Sequence, residues 1–327
     1  YRGDAPPARS FADFACFVAL FPQLIAGPIV RYNHVAEQLV RREHTRDKFA
    51  SGVALFMLGF SKKVLLANSL AGAADAAFGV RTPYPADAWF GAAAYAFQIY
   101  YDFSGYSDMA IGLGRMFGFE FPRNFDAPYR SASITEFWRR WHISLSTFLR
   151  DYLYIPLGGS RRGERRTYLN LAVVMLLGGL WHGANWTFVC WGGFHGALLA
   201  LERALGRRPV YAWLPKPARV LCTFALLLVS WVLFRSATIG DAARYLAAMS
   251  GLARPEPGAA LLGALLYTPG NFVTLAVCAV VAAQPKQAWE FARELTPLKA
   301  VLLVALFVWA LAALAVQQFN PFLYFQF

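Results

Sequence analysis

Along the chain, long apolar runs alternate with short polar stretches rich in arginine. The apolar runs cover residues 49–70, 89–119, 169–201, 220–234, 259–283 and 298–316. A helix crosses the hydrocarbon core of a bilayer with roughly 20 residues, so most of these are long enough to span. A shorter run, residues 14–29, is broken by Pro22, Gly27 and Pro28 and fits a broken or re-entrant segment. Residues 49–70 carry Lys62 and Lys63 near their middle. Two adjacent lysines are costly at the bilayer centre, so this segment is expected to be offset, tilted or bent until they reach an interface. The run 89–119 is interrupted by Asp102 and Asp108, and the run 259–283 holds Pro269, Gly270 and Asn271. Between them, residues 133–154 repeat Trp138, Trp141, Leu145, Phe148, Leu149 and Tyr152 at helical intervals and predict one amphipathic helix. The pattern predicts an all-α, polytopic transmembrane helical bundle with broken or re-entrant and amphipathic interfacial helices. No fixed-period repeat and no linker longer than a loop divides residues 1–327, so a single domain is expected.

Composition agrees. Of 327 residues, 57% are hydrophobic and 15% charged, against about a quarter charged in ordinary soluble domains. The apolar faces therefore have membrane lipids as partners. The net charge is +12, but the basic residues sit in short loops, as positive-inside orientation requires. No basic run carries a nucleic-acid motif, and no nucleic-acid partner is expected. The loop 158–166, with Arg161, Arg162, Arg165 and Arg166, is assigned to the cytoplasm. Cys16, Cys190, Cys222 and Cys278 are scattered with no CxxC pair, so they predict neither zinc nor a disulfide framework, only buried inert thiols. The opening Tyr1-Arg2-Gly3-Asp4 reads like a loop inside a longer protein, and further N-terminal spans are expected before it.

The most informative stretch is Gly178-Gly179-Leu180-Trp181-His182-Gly183-Ala184-Asn185-Trp186. It sets a histidine in the middle of an apolar run. On a continuous helix the face of His182 holds Gly178 and Gly179 on one side and Asn185 and Trp186 on the other. The glycines would leave room for a ligand beside the imidazole, and the amide and indole would line a narrow polar tunnel. Gly179 and Gly183 also form GxxxG, which serves helix packing. Ionisable residues inside a membrane are nevertheless functional by default.

A second stretch is Ser133-Ile134-Thr135-Glu136-Phe137-Trp138-Arg139-Arg140-Trp141-His142-Ile143-Ser144-Leu145-Ser146. Ser133 and Glu136 have capping-box spacing, which marks a helix start. His142 falls on the apolar stripe, four residues after Trp138, while Arg139 and Arg140 fall on the other side. It is either a residue of the reaction tunnel or a structural histidine. In a third stretch, Tyr100 to Asp108, the six-residue offset turns Asp102 and Asp108 well apart on a helix, and polar networking is favoured over an acid–base pair. His34 and His44 sit in a basic loop and read as solvated. His142, His182 and His195 lack tight ligand spacing, so no metal is expected. No GxSxG and no P-loop occurs.

These strings resemble the membrane-bound O-acyltransferase family, in the branch of alginate O-acetyltransferases. The residues that carry the resemblance are Phe21-Pro22-Gln23-Leu24-Ile25-Ala26-Gly27-Pro28-Ile29, Tyr101-Asp102-Phe103-Ser104-Gly105-Tyr106-Ser107-Asp108, Arg139 to Ser146, Arg150 to Gly159 and Trp181 to Trp186, in order, with the closing Phe322 to Phe327. The resemblance implies two family histidines at His142 and His182, the second at the position regarded as catalytic. It also implies a funnel on each side of the membrane meeting at a thin buried centre. The expected function is transfer of an acetyl group from a cytoplasmic acyl thioester, such as acetyl-CoA, with no bound cofactor. The acceptor is a hydroxyl of an exported polysaccharide, reached directly or through a periplasmic hydrolase-like acetyltransferase. His182 is the expected general base and His142 a second catalytic residue. Trp181, Trp186, Trp138, Asn185, Gly178 and Gly179 are the expected tunnel, and the bacterial inner membrane is the expected site. Arg139, Arg140, Arg161 and Arg162 are positioned either to attract the donor's phosphates or only to set topology. The rival readings are a transporter or channel without chemistry, and a lipid or protein acyltransferase of the same fold.

Overall fold

The computed structural model describes residues 7–24 and 27–317, and within them every regular element is helical. The opening tetrapeptide, Ile25-Ala26 and the closing Phe322 to Phe327 lie outside the described residues. The helices are α1 (Phe11–Val18), α2 (Tyr32–Val40), α3 (Arg46–Ser61), α4 (Asn68–Gly79), α5 (Pro85–Met116), α6 (Ile134–Arg140), α7 (Ile143–Leu149), α8 (Glu164–His182), α9 (Trp186–Ala204) and α10 (Lys216–Arg235). They continue as α11 (Ile239–Met249), α12 (Leu262–Leu266), α13 (Pro269–Ala282), α14 (Ala288–Arg293) and α15 (Pro297–Val316). Among the described residues, three helical stretches are long and apolar enough to cross a membrane: Arg46–Gly79, Lys216–Arg235 and Pro297–Val316. A fourth is the pair Pro257–Leu266 and Pro269–Ala282, bent by 67° where Pro269 denies the backbone an N–H. The protein is a multi-pass membrane protein.

Local sequence sets many helix starts. The hydroxyls of Ser10, Thr45, Ser133, Thr238, Thr268 and Thr296 each accept a backbone N–H in the first turn. Glu136, predicted to complete a capping box, instead accepts from Ala132 N.

The centre of the bundle is α3 against α5. A Cβ on Gly52 would stand 2.7 Å from the Gly112 carbonyl oxygen, so the two backbones are nearly in contact. Between α3 and α4 the helix widens into a π turn, Lys62–Ala67. The two lysines, whose cost alone predicted that they reach an interface, are paired with carboxylates inside the bundle. Lys62 Nζ lies 2.6 Å from Asp108 Oδ2, and Lys63 Nζ lies 2.6 Å from Asp102 Oδ1. The compensation comes from α5, which runs unbroken through both aspartates.

Two predicted elements are divided. The amphipathic helix 133–154 breaks at Trp141, which is extended, and His142, which is left-handed at φ 43° and ψ 53°. Asn124 causes the break by taking the N–H groups that a continuous helix would bond internally. Its carbonyl accepts Ile143 N (2.9 Å) and its Oδ1 accepts Ser144 N (3.2 Å). The run 169–201 is likewise two helices. α8 ends at His182, Gly183 is extended, and Asn185 Oδ1 accepts Thr187 N to start α9. The two form an antiparallel hairpin, since Gly179 meets Phe188 and Gly192 while Gly196 meets Met175 and Ala172.

The hairpin puts the start of α8 and the end of α9, and with it the start of α10, at one end of the bundle. The exposed Arg161 and Arg162 precede α8 and Arg165 and Arg166 lie in its first turn, while Arg203 in the last turn of α9, Arg207 and Arg208 after it, and Lys216 at the start of α10 follow. These form one basic end. His182, Asn185 and Arg235 lie at the other.

Candidate active site

His182 ends α8 and His142 opens α7, and the break at each position turns the imidazole into the same space. Their ring centroids are 6.4 Å apart. They share a cavity of about 220 Å³. Ile99, Asp102 and Phe103 of α5 form one wall; Trp191 of α9 with Trp231 and Phe234 of α10 form another; Trp141 and Trp181 complete it. Trp181 is half exposed, so it stands at the mouth.

The two histidines are held differently. His142 is buried, its ring edge-on to Phe103 at 4.7 Å. Its Nδ1 accepts the Leu145 N–H at 3.3 Å, capping α7. A nitrogen that accepts carries no proton, so the neutral ring bears its hydrogen on Nε2. That Nε2 has no acceptor among the described residues. A non-glycine residue in the left-handed region is uncommon, and here the turn fixes the ring in place. His182 is only partly covered and packs between Trp191 (5.3 Å) and Phe234 (5.2 Å). A second buried donor, Trp191 Nε1, also finds no acceptor among the described residues. An imidazole beside two N–H donors that lack protein acceptors, in a largely apolar cavity, has the parts needed for acyl transfer.

Of the expected tunnel residues, Trp181 lines this cavity and the others lie elsewhere. Gly178 and Gly179 do not line this cavity. A Cβ on Gly179 would overlap the Phe188 carbonyl oxygen, and one on Gly178 would meet Leu149 Cδ1 at 3.2 Å, so both glycines face packed neighbours. Asn185 is not on a helical face with His182, because α8 has already ended. It caps α9, and its Nδ2 donates to Ala237 O at 2.8 Å. Trp186 is 71% exposed, away from the cavity. Trp138 Nε1 donates to His195 Nδ1 at 3.3 Å, and neither lines the cavity.

Sequence reasoning missed Ile99, Phe103, Trp141, Trp191, Trp231 and Phe234 as cavity wall. They look like any apolar residue of a span, and only the crossing of α5, α9 and α10 gathers them. Asp102, read as part of a polar network, pairs with Lys63 and lines the same cavity. Among the described residues no group of three or more His, Cys, Asp or Glu side chains converges to hold a metal ion. Cys278 is buried, as predicted for all four thiols, but Cys16 is exposed.

An all-helical membrane protein with two imidazoles in a buried cavity defines a class of intramembrane group-transfer proteins. A model of the membrane-bound O-acyltransferase family matches residues 8–236. The chain belongs to that family and is an O-acyltransferase. It is 47% identical over 354 positions to a probable alginate O-acetylase of Pseudomonas putida, covering 100% of this chain and 71% of that one. It is 44% identical over 248 positions to a peptidoglycan O-acetyltransferase of Helicobacter pylori, covering 74% and 47%. A teichoic acid D-alanyltransferase of Streptococcus thermophilus is 30% identical over 217 positions, covering 61% and 52%.

Proposed function

We propose that this protein acetylates an exported, alginate-like polysaccharide at the bacterial inner membrane. The donor is a cytoplasmic acyl thioester, acetyl-CoA or a relative of it. The acceptor is a sugar hydroxyl, or a carrier hydroxyl on a periplasmic partner that passes the acetyl group on. The observation that carries this reading is the paired histidine cavity. At about 220 Å³ it lies below the roughly 300–1,000 Å³ of drug-sized ligand sites, so it suits an acetyl group better than a long acyl chain. The names of the relatives support a glycan acceptor.

In this mechanism His182 accepts the proton of the acceptor hydroxyl as its oxygen bonds to the thioester carbonyl carbon. Negative charge builds on the carbonyl oxygen, where His142 Nε2–H and Trp191 Nε1–H donate. The intermediate collapses with cleavage of the carbon–sulfur bond, and the proton held by His182 passes to the departing thiolate. The result is an ester, a free thiol and a neutral imidazole.

His182→Gln keeps polarity and approximate size but has no group that titrates near neutrality. Acetyl transfer per unit of folded protein is expected to fall about 10²–10⁴-fold, with donor binding retained. Near-parental turnover would rule out His182 as the base. Donor consumption without any acetyl ester would point to transport or hydrolysis instead.

A further inference from the structure

A second cavity, also about 220 Å³, opens at the end of the bundle remote from the basic loops. It is walled by the end of α4, the end of α10 and the start of α11. Its charged groups are Asp75, Arg81, Arg235 and Asp241, and its aromatic wall is Phe78 and Tyr245. Phe78 and Tyr245 stack with centroids 4.4 Å apart and planes 2° apart. Arg235 Nη2 donates to Asp75 Oδ1 at 2.8 Å, while its buried Nε–H has no acceptor among the described residues. Arg244 holds Asp241 at 2.6 Å and Thr238 donates to the same carboxylate. These contacts hold the Asp241 carboxyl below the usual carboxylate range, so it stays an acceptor.

The two cavities share no lining residue but are walled by consecutive residues of α10. Phe234 packs on His182 and lines the first cavity, and Arg235, the next residue, lines the second. Asn185, three residues after His182, is tied to the Ala237 carbonyl on its rim.

We propose that this second cavity is the acceptor subsite, holding one sugar ring of the polysaccharide beside the hydroxyl that His182 deprotonates. The inference rests on the acetyltransferase reading and adds to it where the glycan sits. The chemistry selects a polyhydroxyl ligand. Two arginines donate to hydroxyl oxygens, two carboxylates accept from hydroxyl hydrogens, and an aromatic wall covers the apolar face of a ring. Asp75 is paired with Arg235 and Asp241 with Arg244, so both carboxylates are held as acceptors. The space admits one ring and not a chain.

The test uses Arg81→Gln and Asp241→Asn, with unacetylated alginate oligosaccharides as probe. Two activities are measured on folded protein: acetyl transfer against oligosaccharide concentration, and acetyl-thioester hydrolysis without acceptor. A lost hydrogen bond to a charged group is worth about 1.5–3 kcal/mol, so each variant is expected to raise the acceptor KM about tenfold or more. Acceptor-independent hydrolysis and the thermal midpoint are expected to stay at parental values. An unchanged KM overturns the proposal. So does a parallel loss of hydrolysis and transfer, which marks a structural cluster. Direct binding of the same oligosaccharides to His182→Gln protein separates this proposal from the mechanism. Binding weakened by Arg81→Gln sustains the subsite even if His182 is not the base, and binding that is absent or insensitive overturns it.

Discussion

Gly178 and Gly179 give a test in which local effects cancel. Both lie in the last two turns of α8, and replacing either with alanine gains the same helix propensity, about 0.8–1 kcal/mol. What differs is the space. A Cβ on Gly178 meets the mobile end of Leu149 at 3.2 Å and nothing else within 4 Å. A Cβ on Gly179 would overlap the Phe188 carbonyl oxygen and stand 3.0 Å from its carbon and 3.3 Å from Gly192 Cα. Ordinary carbon contacts lie at about 3.5–4.0 Å, so to relieve the overlap α8 and α9 must part by about 1 Å or more. Overpacking of this kind costs about 1–3 kcal/mol. Gly179→Ala is therefore expected to be less stable than Gly178→Ala by that amount. At about 2 °C per kcal/mol for a chain of this size, the midpoints should differ by about 2–6 °C. Thermal unfolding of both variants in detergent, with acetyl transfer per folded molecule, makes the measurement. Equal midpoints would refute the backbone contact. Loss of transfer in Gly178→Ala without loss of stability would restore the idea that this glycine keeps room for a ligand.

Three further outcomes are expected. Asp102→Asn leaves Lys63 buried beside a neutral partner and should cost about 3–5 kcal/mol, read as a lower midpoint and reduced membrane-inserted yield; a parental midpoint would show that the pair carries little. His142→Asn preserves a residue that tolerates the left-handed turn and caps a helix but removes the Nε2–H donor. It should keep the parental midpoint and lose about 10²–10³ in turnover; full activity would show that the donor is dispensable. A cysteine at Ser160 should resist a membrane-impermeant thiol reagent in intact cells, because four arginines predict that this loop is cytoplasmic. Ready labelling would reverse the orientation.

The sequence by itself determined the helical class, the membrane environment and the two histidines, because these depend on short-range properties. Runs of about twenty apolar residues have no alternative to helix in lipid, and Ser133 and Thr238 start helices through atoms three residues away. Tertiary structure decided where the histidines point. The stripe through Trp138, His142 and Leu145 assumed one helix, but Asn124, about twenty residues earlier in sequence, claims two of its N–H groups and turns His142 into a left-handed cap. The face shared by Gly178, His182 and Asn185 assumed another continuous helix, and Asn185 ends that arrangement by capping α9 and binding Ala237. Lys62 and Lys63 seemed bound for an interface because their partners, Asp108 and Asp102, are distant in sequence. Trp191, Trp231 and Phe234 carry no local mark of a site, since an aromatic residue that walls a cavity reads the same as one that meets lipid. Only the packing of α5, α9 and α10 separates the two.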